Sequence, residues 1–410
     1  MTLRAAVIGA GAMGRHHARV YAALDDVDLV GVADPVAENR DWVERRLRVP
    51  TFDDHRTLLS SERPDLVSVV VPTQQHLTVA LDVIAAGIAV LVEKPIAATE
   101  AEAQVMIDAA READVVLTVG HVERFNPAVR ELKRRVDAGE LGRVFTVQAR
   151  RVGPFPARVR DVGVVVDLAT HDLDILRWIV GREVVRIQAE TAQRIHTAHE
   201  DLLVGLLRFD GGAIGLLNIN WLTPTKIREL SVTGERGMFV ADYLRQTLTF
   251  YANESADAHW ESFGQLQGVV EGNATTIRID GGEPLVAELA AFAAAVRDRT
   301  PPVVSGEDGL AALRLARAIV EAGGERGERV GHGAGHGVDG AIADHGPPHA
   351  GSSPRRPPRR PHRAPRRRRP RLRRHARGLH AGRRGLYRRR GRRRRRQGRC
   401  DQRRPRAVRG

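Results

Sequence analysis

Three side chains of the sequence could together move a proton at a hydroxyl group: Lys94, Asp167 and His171. Asp167 and His171 lie four residues apart in DLATHDLDILRWIV, so on a helix they would share one face, and the carboxylate could orient the imidazole and stabilise its cation. Lys94 lies in VEKP after an apolar run, where it could donate a hydrogen bond to a substrate oxygen. Simpler interpretations stay open, since Lys94 could be a surface lysine and Asp167 an N-cap.

A glycine-rich segment near the start, AAVIGAGAMGRHH, predicts a pocket for a dinucleotide. The first glycine permits a tight turn, the second lets the backbone approach a pyrophosphate, and the third lets the next helix pack on the strand. Asp34 follows Gly14 by 20 residues, where its carboxylate could accept hydrogen bonds from ribose hydroxyls and would repel a 2′-phosphate. The expected cofactor is therefore NAD rather than NADP. The residues expected to contact it here are Gly9, Gly11, Ala12, Met13, Gly14 and Asp34.

The elements that must position these residues follow from apolar patterning. Continuous apolar runs at 5–8, 28–33, 66–71, 88–93 and 115–119, with helical segments between them, predict a doubly wound parallel sheet of the Rossmann type. From about residue 143 the pattern changes to strand runs with short turns, at 143–151, 184–190, 202–209, 213–221, 228–234 and 246–251. These predict a second α/β domain with a largely antiparallel sheet, closed by helices at 283–297 and 307–322. Lys94 would end a parallel strand, at the edge where open α/β sheets bind ligands.

Arginines concentrate in the sequence just before Asp167. Arg150, Arg151, Arg158 and Arg160 are expected in a Gly/Pro-rich loop preceding the catalytic helix. Forked guanidinium groups suit a diphosphate better than a neutral cyclitol, so this loop predicts a phosphate-bearing substrate. A solvated cluster, or salt bridges to the acidic body, is the alternative interpretation.

The charge of the chain is unevenly distributed. Residues 331–410 hold 28 arginines and three aspartates, a net charge of +25, so with +15 overall the rest of the chain carries −10. The tail has few apolar residues to bury and is expected to be disordered. We interpret it as the product of a frameshifted or misread frame; the alternative is an arm that binds nucleic acid non-specifically through phosphate contacts. The expected division is 1–120 for the dinucleotide domain, 121–325 for the substrate domain and 326–410 for the tail.

The cysteine content argues against a disulfide-stabilised or thiolate-zinc protein, and the hydropathy argues against a membrane-spanning one. The only cysteine is Cys400 in the tail, so the body can form neither a disulfide nor a thiolate zinc site, and no metal is expected. Neither a leader peptide nor an apolar run of about 18 residues occurs, so the protein is expected to be cytoplasmic without a membrane span.

The glycine fingerprint, the EKP lysine and the D-x-x-x-H helix before an antiparallel sheet together resemble the Gfo/Idh/MocA oxidoreductases over about residues 1–325. The resemblance implies a Rossmann domain that binds NAD(P), an open-faced α/β domain, and oxidation or reduction of secondary alcohols in sugars, cyclitols or nucleotide sugars. It also implies a homo-oligomer and makes Lys94, Asp167 and His171 the catalytic residues. The residues that it places beside the nicotinamide are Pro72, Thr73, His76, Glu93 and Lys94.

Two segments narrow the resemblance, GHVERFNPAV at 120–129 and RRVGPFPARVRDVGVVVDLATHD at 150–172. They are similar to the branch that contains UDP-N-acetylglucosamine 3-dehydrogenases, which implies hydride transfer from C3 of a nucleotide sugar. His171 is then the expected base, Asp167 its orienting partner and Lys94 the donor to the developing alkoxide, with Lys94 as base left open. The expected substrate contacts are Arg124, Arg151, Arg158, Arg160 and His171. The alternatives are an inositol or simple sugar dehydrogenase and, outside the enzymes, an NAD-sensing protein that binds nucleic acid.

Overall fold

The computed structural model describes residues 2–156, 162–195, 199–253 and 273–324. Expectations for the tail at 326–410, and for Arg158 and Arg160, lie outside these residues. Two sheets organise the described part, one of six strands and one of eight.

The first sheet is parallel throughout, with strand order β3-β2-β1-β4-β5-β6. This is the Rossmann order, so the predicted doubly wound sheet is confirmed. Helices cover both of its faces, so strands such as β4 and β5 bury nearly all their side chains. The strands are β1 (Leu3–Ile8), β2 (Val27–Ala33), β3 (Thr51–Phe52), β4 (Leu66–Val69), β5 (Ala89–Glu93) and β6 (Leu117–Gly120). The helices between them are α1 (Ala12–Tyr21), α2 (Ala37–Leu47), α3 (His55–Glu62), α4 (His76–Ala85) and α5 (Glu100–Glu112).

The second sheet is largely antiparallel, as predicted, with the order β14-β13-β12-β11-β7-β10-β9-β8. Its parallel pair is β7 with β10. All six predicted strand runs form strands, while β12 and β14 were not predicted. The strands are β7 (Val144–Pro154), β8 (Val184–Ala192), β9 (Leu202–Phe209), β10 (Ile214–Asn220), β11 (Leu222–Gly234), β12 (Gly237–Asp242), β13 (Thr247–Ala252) and β14 (Ala274–Ile277).

Helices cover one face of the second sheet and leave the other open. Leu203 and Leu207 of β9 join the core under the helices, whereas Val204 and Leu206 alternate with them and are exposed. The helices of this half of the chain are α6 (Pro127–Asp137), α7 (Thr170–Val180), α8 (Pro284–Asp298) and α9 (Gly306–Gly324).

Helix α8 returns to the dinucleotide domain although it follows the second sheet in sequence. Leu285, Leu289 and Phe292 pack in the same core as Val7 and Tyr21 of that domain. The predicted division at residue 120 therefore describes the order of the sheets but not the packing of this helix.

No helix within the described ranges combines the length and apolar character needed to cross a bilayer.

Candidate active site

The glycine turn between β1 and α1 is built by close packing at two of its three glycines. Gly9 has φ of 96°, and a Cβ there would lie 2.4 Å from the carbonyl oxygen of Val70. A Cβ on Gly14 would lie 1.8 Å from the carbonyl oxygen of Gly9. These two positions accept only glycine, because the helix and the neighbouring strand touch the turn directly.

Gly11 differs from the other two glycines, because a Cβ there would meet no protein atom within 4 Å. It is the N-cap of α1, and no side chain caps this helix. Ala12 begins the helix and is exposed, and Met13 is half-buried. Backbone N–H groups and the positive end of the helix dipole therefore face open space, which fits the pyrophosphate of a dinucleotide.

Asp34 closes the pocket at the end of β2. Its carboxylate accepts hydrogen bonds from the backbone N–H of Ala10 at 2.7 Å and of Val36 at 2.8 Å, and from the side chain of Asn39 at 3.1 Å. Asp34 is 6% exposed. The carboxylate thus fixes the glycine turn as well as presenting an acceptor at the position predicted for ribose recognition.

Lys94 follows the last residue of β5, as predicted, and its ammonium group reaches Asp167 in the second domain. Nζ donates to the carbonyl oxygen of Asp167 at 2.7 Å and lies 3.3 Å from its Oδ1. Both side chains are about one-sixth exposed, at 17% and 16%. The lysine and the aspartate therefore form one partly buried pair.

The predicted pairing of Asp167 with His171 is wrong. The chain is π-helical from Val165 to Ala169 before α7 begins at Thr170. A π-turn closes from i to i+5, so residues four apart no longer stack as on an α-helix. No hydrogen bond joins Asp167 to His171 in the described structure, and Nδ1 of His171 is buried without a partner.

His171 lies in a cationic setting. Burial, together with the positive charges of Lys94 and Arg151, holds the pKa of His171 well below its usual 6.5, and Arg228 adds to this effect. The imidazole is therefore neutral at neutral pH and able to accept a proton.

His121 is a second imidazole beside His171 and was not predicted. It follows β6, is 2% exposed, and its ring meets that of His171 edge-on with centroids 6.4 Å apart. Burial lowers the pKa of His121. The sequence did contain a signal for His121, because it follows a predicted parallel strand, as Lys94 does.

Glu93 braces the backbone of Lys94. Its Oε1 lies 3.1 Å from Nε2 of His17 in α1, and its Oε2 accepts from the N–H of Lys94 at 3.0 Å. Burial works against ionisation, but the hydrogen bond of His17 and the charge of Lys94 outweigh it and lower the pKa of Glu93. Glu93, predicted as a cofactor contact, therefore links Lys94 to helix α1.

The VPTQQH loop is attached to the segment after Lys94 by His76. The imidazole is 1% exposed, with Nδ1 3.0 Å from the carbonyl oxygen of Pro95 and Nε2 3.0 Å from that of Val71. Pro72 is exposed and Thr73 half-buried at the carboxyl end of β4. His76 thus shapes the loop, while Pro72 and Thr73 present its surface.

Arg124, predicted as a substrate contact, is a buried clamp. It is 3% exposed; Nε donates to Asp174 at 2.7 Å and Nη1 to Asp308 at 3.0 Å. The guanidinium joins the turn after β6 to α7 and α9, so its charge is satisfied within the protein.

The predicted arginine loop is also revised, since Arg150 and Arg151 lie within strand β7. Arg150 is exposed, whereas Arg151 is 4% exposed and pairs with Asp172 at 2.6 Å and Glu123 at 3.0 Å. The strand extends to Pro154 because β11 and β10 pair with it on either side. Two carboxylates therefore satisfy the charge of Arg151.

Fold and site together define an oxidoreductase with a Rossmann domain that binds NAD(P), and comparison with known proteins agrees. The model of the oxidoreductase family with an NAD-binding Rossmann fold matches residues 3–121, and the GFO/IDH/MocA C-terminal domain matches residues 129–240. The chain belongs to the Gfo/Idh/MocA oxidoreductase family, which confirms the predicted resemblance.

Relatives in the family act on different alcohols. The chain is 31% identical over 323 residues to UDP-N-acetylglucosamine 3-dehydrogenase from Acidithiobacillus ferrooxidans, covering 78% of this chain and 98% of that protein. It is 29% identical to myo-inositol 2-dehydrogenase from Thermotoga maritima, covering 77% of this chain and 95% of that protein. A solved structure of the Acidithiobacillus enzyme superposes with a TM-score of 0.71 and 28% identity, covering 78% of this chain and 97% of that chain.

Proposed function

We propose that the protein is an NAD-dependent dehydrogenase that oxidises a secondary alcohol on a sugar ring, at C3 of a nucleotide sugar such as UDP-N-acetylglucosamine. The observation that carries the proposal is the contact of Lys94, which follows β5, with Asp167 in the turn before α7, together with the effect of the Lys94 charge on the pKa of His171. This observation supports a hydrogen-bond donor and a neutral base beside the expected nicotinamide position.

The cofactor preference rests on Asp34 and the glycine turn. Bound NAD supplies the hydride acceptor; the protein supplies the N–H groups of α1 for its pyrophosphate and the carboxylate of Asp34 for its ribose. A 2′-phosphate would meet the charge of a 6% exposed carboxylate, so NADP should bind more weakly. Comparing the KM values of the two cofactors tests this preference.

The catalytic roles follow from charge and contacts. His171, neutral and partly exposed, takes the hydroxyl proton. Lys94 is held by the carboxylate of Asp167 and donates a hydrogen bond to the hydroxyl oxygen as negative charge develops there. Asp167 is then a positioning residue for Lys94 rather than for His171.

The nucleotide-sugar substrate is supported by the relative from Acidithiobacillus, of which this chain covers 98% at 31% identity. It is supported also by the cationic environment of His171, because a negatively charged substrate would be attracted to it. Arg158 and Arg160 stay predicted contacts of the diphosphate. Cyclitols or simple sugars are the alternative substrates, and the relative from Thermotoga supports a cyclitol.

The test is absorbance at the NADH band after mixing the protein with NAD and UDP-N-acetylglucosamine, with myo-inositol and free sugars in parallel. A rise with the nucleotide sugar alone is the expected result. A rise with myo-inositol or free sugars only would move the substrate to the neutral class, and no rise with any of them would contradict the proposed activity.

A further inference from the structure

Arg228 lies on β11 directly opposite Arg151 of β7. Leu230 and Val232, two and four residues further along β11, are buried under the helices, so Arg228 lies on the helix-covered face of the sheet. The active site is on this same face, and the charge of Arg228 contributes to the low pKa of His171.

The two arginines differ in how their charges are satisfied. Asp172 and Glu123 pair with Arg151. Arg228 donates only from Nη1, to the carbonyl oxygens of Val152 at 2.7 Å and of Ile227 at 2.8 Å. Within the described ranges no carboxylate lies within ion-pair distance of its guanidinium. Like charges directly opposite each other on adjacent strands destabilise a sheet. Arg228 is therefore a half-buried cation whose charge the more distant carboxylates of Asp172, Glu123 and Asp167 offset only in part.

Its titration reflects the same environment. Burial and the charge of Arg151 lower the pKa of Arg228 to about 10. An anion bound at the guanidinium would oppose this lowering of the pKa, because it would accept hydrogen bonds from the remaining N–H donors and compensate the positive charge.

Gly153 of β7 packs closely against the segment of β11 that carries Arg228. A Cβ on Gly153 would be in van der Waals contact with that segment, 3.6 Å from Cα of Lys226 and 3.8 Å from Nη1 of Arg228. Lys226 lies two residues before Arg228 on β11 and is exposed. A second cation is thus available at the open end of the same strand.

We propose that Arg228 binds a phosphate group of the substrate and determines specificity for phosphorylated over neutral sugars. The inference rests on the proposed function and gives the phosphate-binding role to a residue that sequence analysis did not select.

The experiment measures kcat and KM for UDP-N-acetylglucosamine, and the inhibition constant of UDP, in wild type, Arg228→Gln, Arg228→Lys and Arg317→Gln. Arg317 is an exposed arginine on α9 and provides the matched loss of charge. Loss of a charged hydrogen bond predicts an increase of roughly 10- to 100-fold in both KM and the UDP inhibition constant for Arg228→Gln, with kcat changed less. Arg228→Lys should lie between wild type and Arg228→Gln, since it keeps the charge without the fork.

The outcomes separate this inference from the proposed function. If wild type oxidises the nucleotide sugar and Arg228→Gln behaves like Arg317→Gln, the inference fails and the function stands. If wild type does not oxidise it, calorimetric titration of UDP into the NAD-loaded protein decides. Weaker UDP binding in Arg228→Gln supports the phosphate site, and unchanged binding, or none to wild type, overturns it. NADH affinity and thermal melting check that each variant folds, and Arg228→Lys serves if Arg228→Gln does not.

Discussion

At the scale of single residues, the candidate active site depends on electrostatic interactions between charged groups of the two domains. Lys94 pairs with Asp167, whereas His171 has no carboxylate partner among the described residues and is kept neutral by burial and neighbouring cations. The proposed roles of Lys94 as donor and His171 as base therefore follow from environment rather than from residue type alone.

Replacing Lys94 by Ala should reduce kcat by roughly 10²- to 10⁴-fold, because the donor to the developing alkoxide is lost. NADH affinity should change little, since the glycine turn and Asp34 are untouched. Steady-state kinetics and NADH fluorescence titration measure the two effects. Lys133→Ala is the matched control, because Lys133 pairs with Asp137 on α6. Lost cofactor affinity with normal turnover would refute the assignment.

The pH dependence of kcat/KM should reflect His171. The base must be unprotonated, and its pKa lies well below 6.5, so activity should persist as the pH falls through 6.5 and decline only under more acidic conditions. His171→Gln should lose roughly 10²- to 10⁴-fold in kcat. An acidic limb centred at or above 6.5 in the wild-type profile would contradict a neutral, buried base.

At the scale of elements, two glycines of the same turn, Gly11 and Gly14, are needed for different physical reasons. Gly14 allows α1 to touch the turn, whereas Gly11 leaves open the space in front of the helix. Packing constrains Gly14, and we expect cofactor binding to constrain Gly11.

Two alanine substitutions separate these jobs. Gly14→Ala should lower the free energy of unfolding, because its Cβ would lie 1.8 Å from a backbone oxygen. Gly11→Ala should leave the melting temperature of the cofactor-free protein nearly unchanged and weaken NADH binding, since its methyl group occupies space predicted for the pyrophosphate. Thermal melting without cofactor and NADH titration distinguish them; equal destabilisation by both changes would argue against the distinction.

At the scale of the whole molecule, α8 carries a buried acid into the dinucleotide domain. Glu288 is 2% exposed, and neither of its carboxyl oxygens has a hydrogen-bond partner in the described part of the chain. Burial, reinforced by the charge of Glu93, raises the pKa of Glu288 well above 4.5. The folded protein therefore keeps this carboxyl protonated at pH values where the unfolded chain ionises it.

This linkage predicts that Glu288 costs stability as the pH rises above 4.5, up to its folded-state pKa. The folded state binds the extra proton, so the free energy of unfolding falls by up to about 1.4 kcal/mol per pH unit. Glu288→Gln cannot ionise, so its stability relative to wild type should increase as the pH rises above 4.5. Urea unfolding at a series of pH values above 4.5 measures the difference, and parallel pH curves for the two proteins would contradict it.

Homo-oligomerisation through the open face of the second sheet stays a prediction. Val204 and Leu206 are 53% and 45% exposed on that face, and neighbouring exposed apolar residues are typical of an interface. Leu206→Asp should reduce the mass measured by light scattering. Val320→Asp should not, since Val320 is an exposed residue of α9 away from that face. A monomeric wild type would refute the prediction.

The sequence by itself determined the glycine turn, the doubly wound parallel sheet and the position of Lys94 after a parallel strand. These depend on local spacing, on apolar periodicity and on the rule that parallel strands present their carboxyl ends at one edge. It also determined most strands of the second sheet, since side chains of a strand alternate between its two faces and the apolar residues follow that alternation.

Only the tertiary structure decided which charges meet. A π-turn directs Asp167 to Lys94 rather than His171, and carboxylates pair with Arg124 and Arg151. Pairing of β11 with β7 places Arg228 opposite Arg151, where no carboxylate of the described residues lies at ion-pair distance from it. These contacts join residues far apart in sequence, so their geometry depends on how the two sheets and the returning helices pack, which no local pattern specifies.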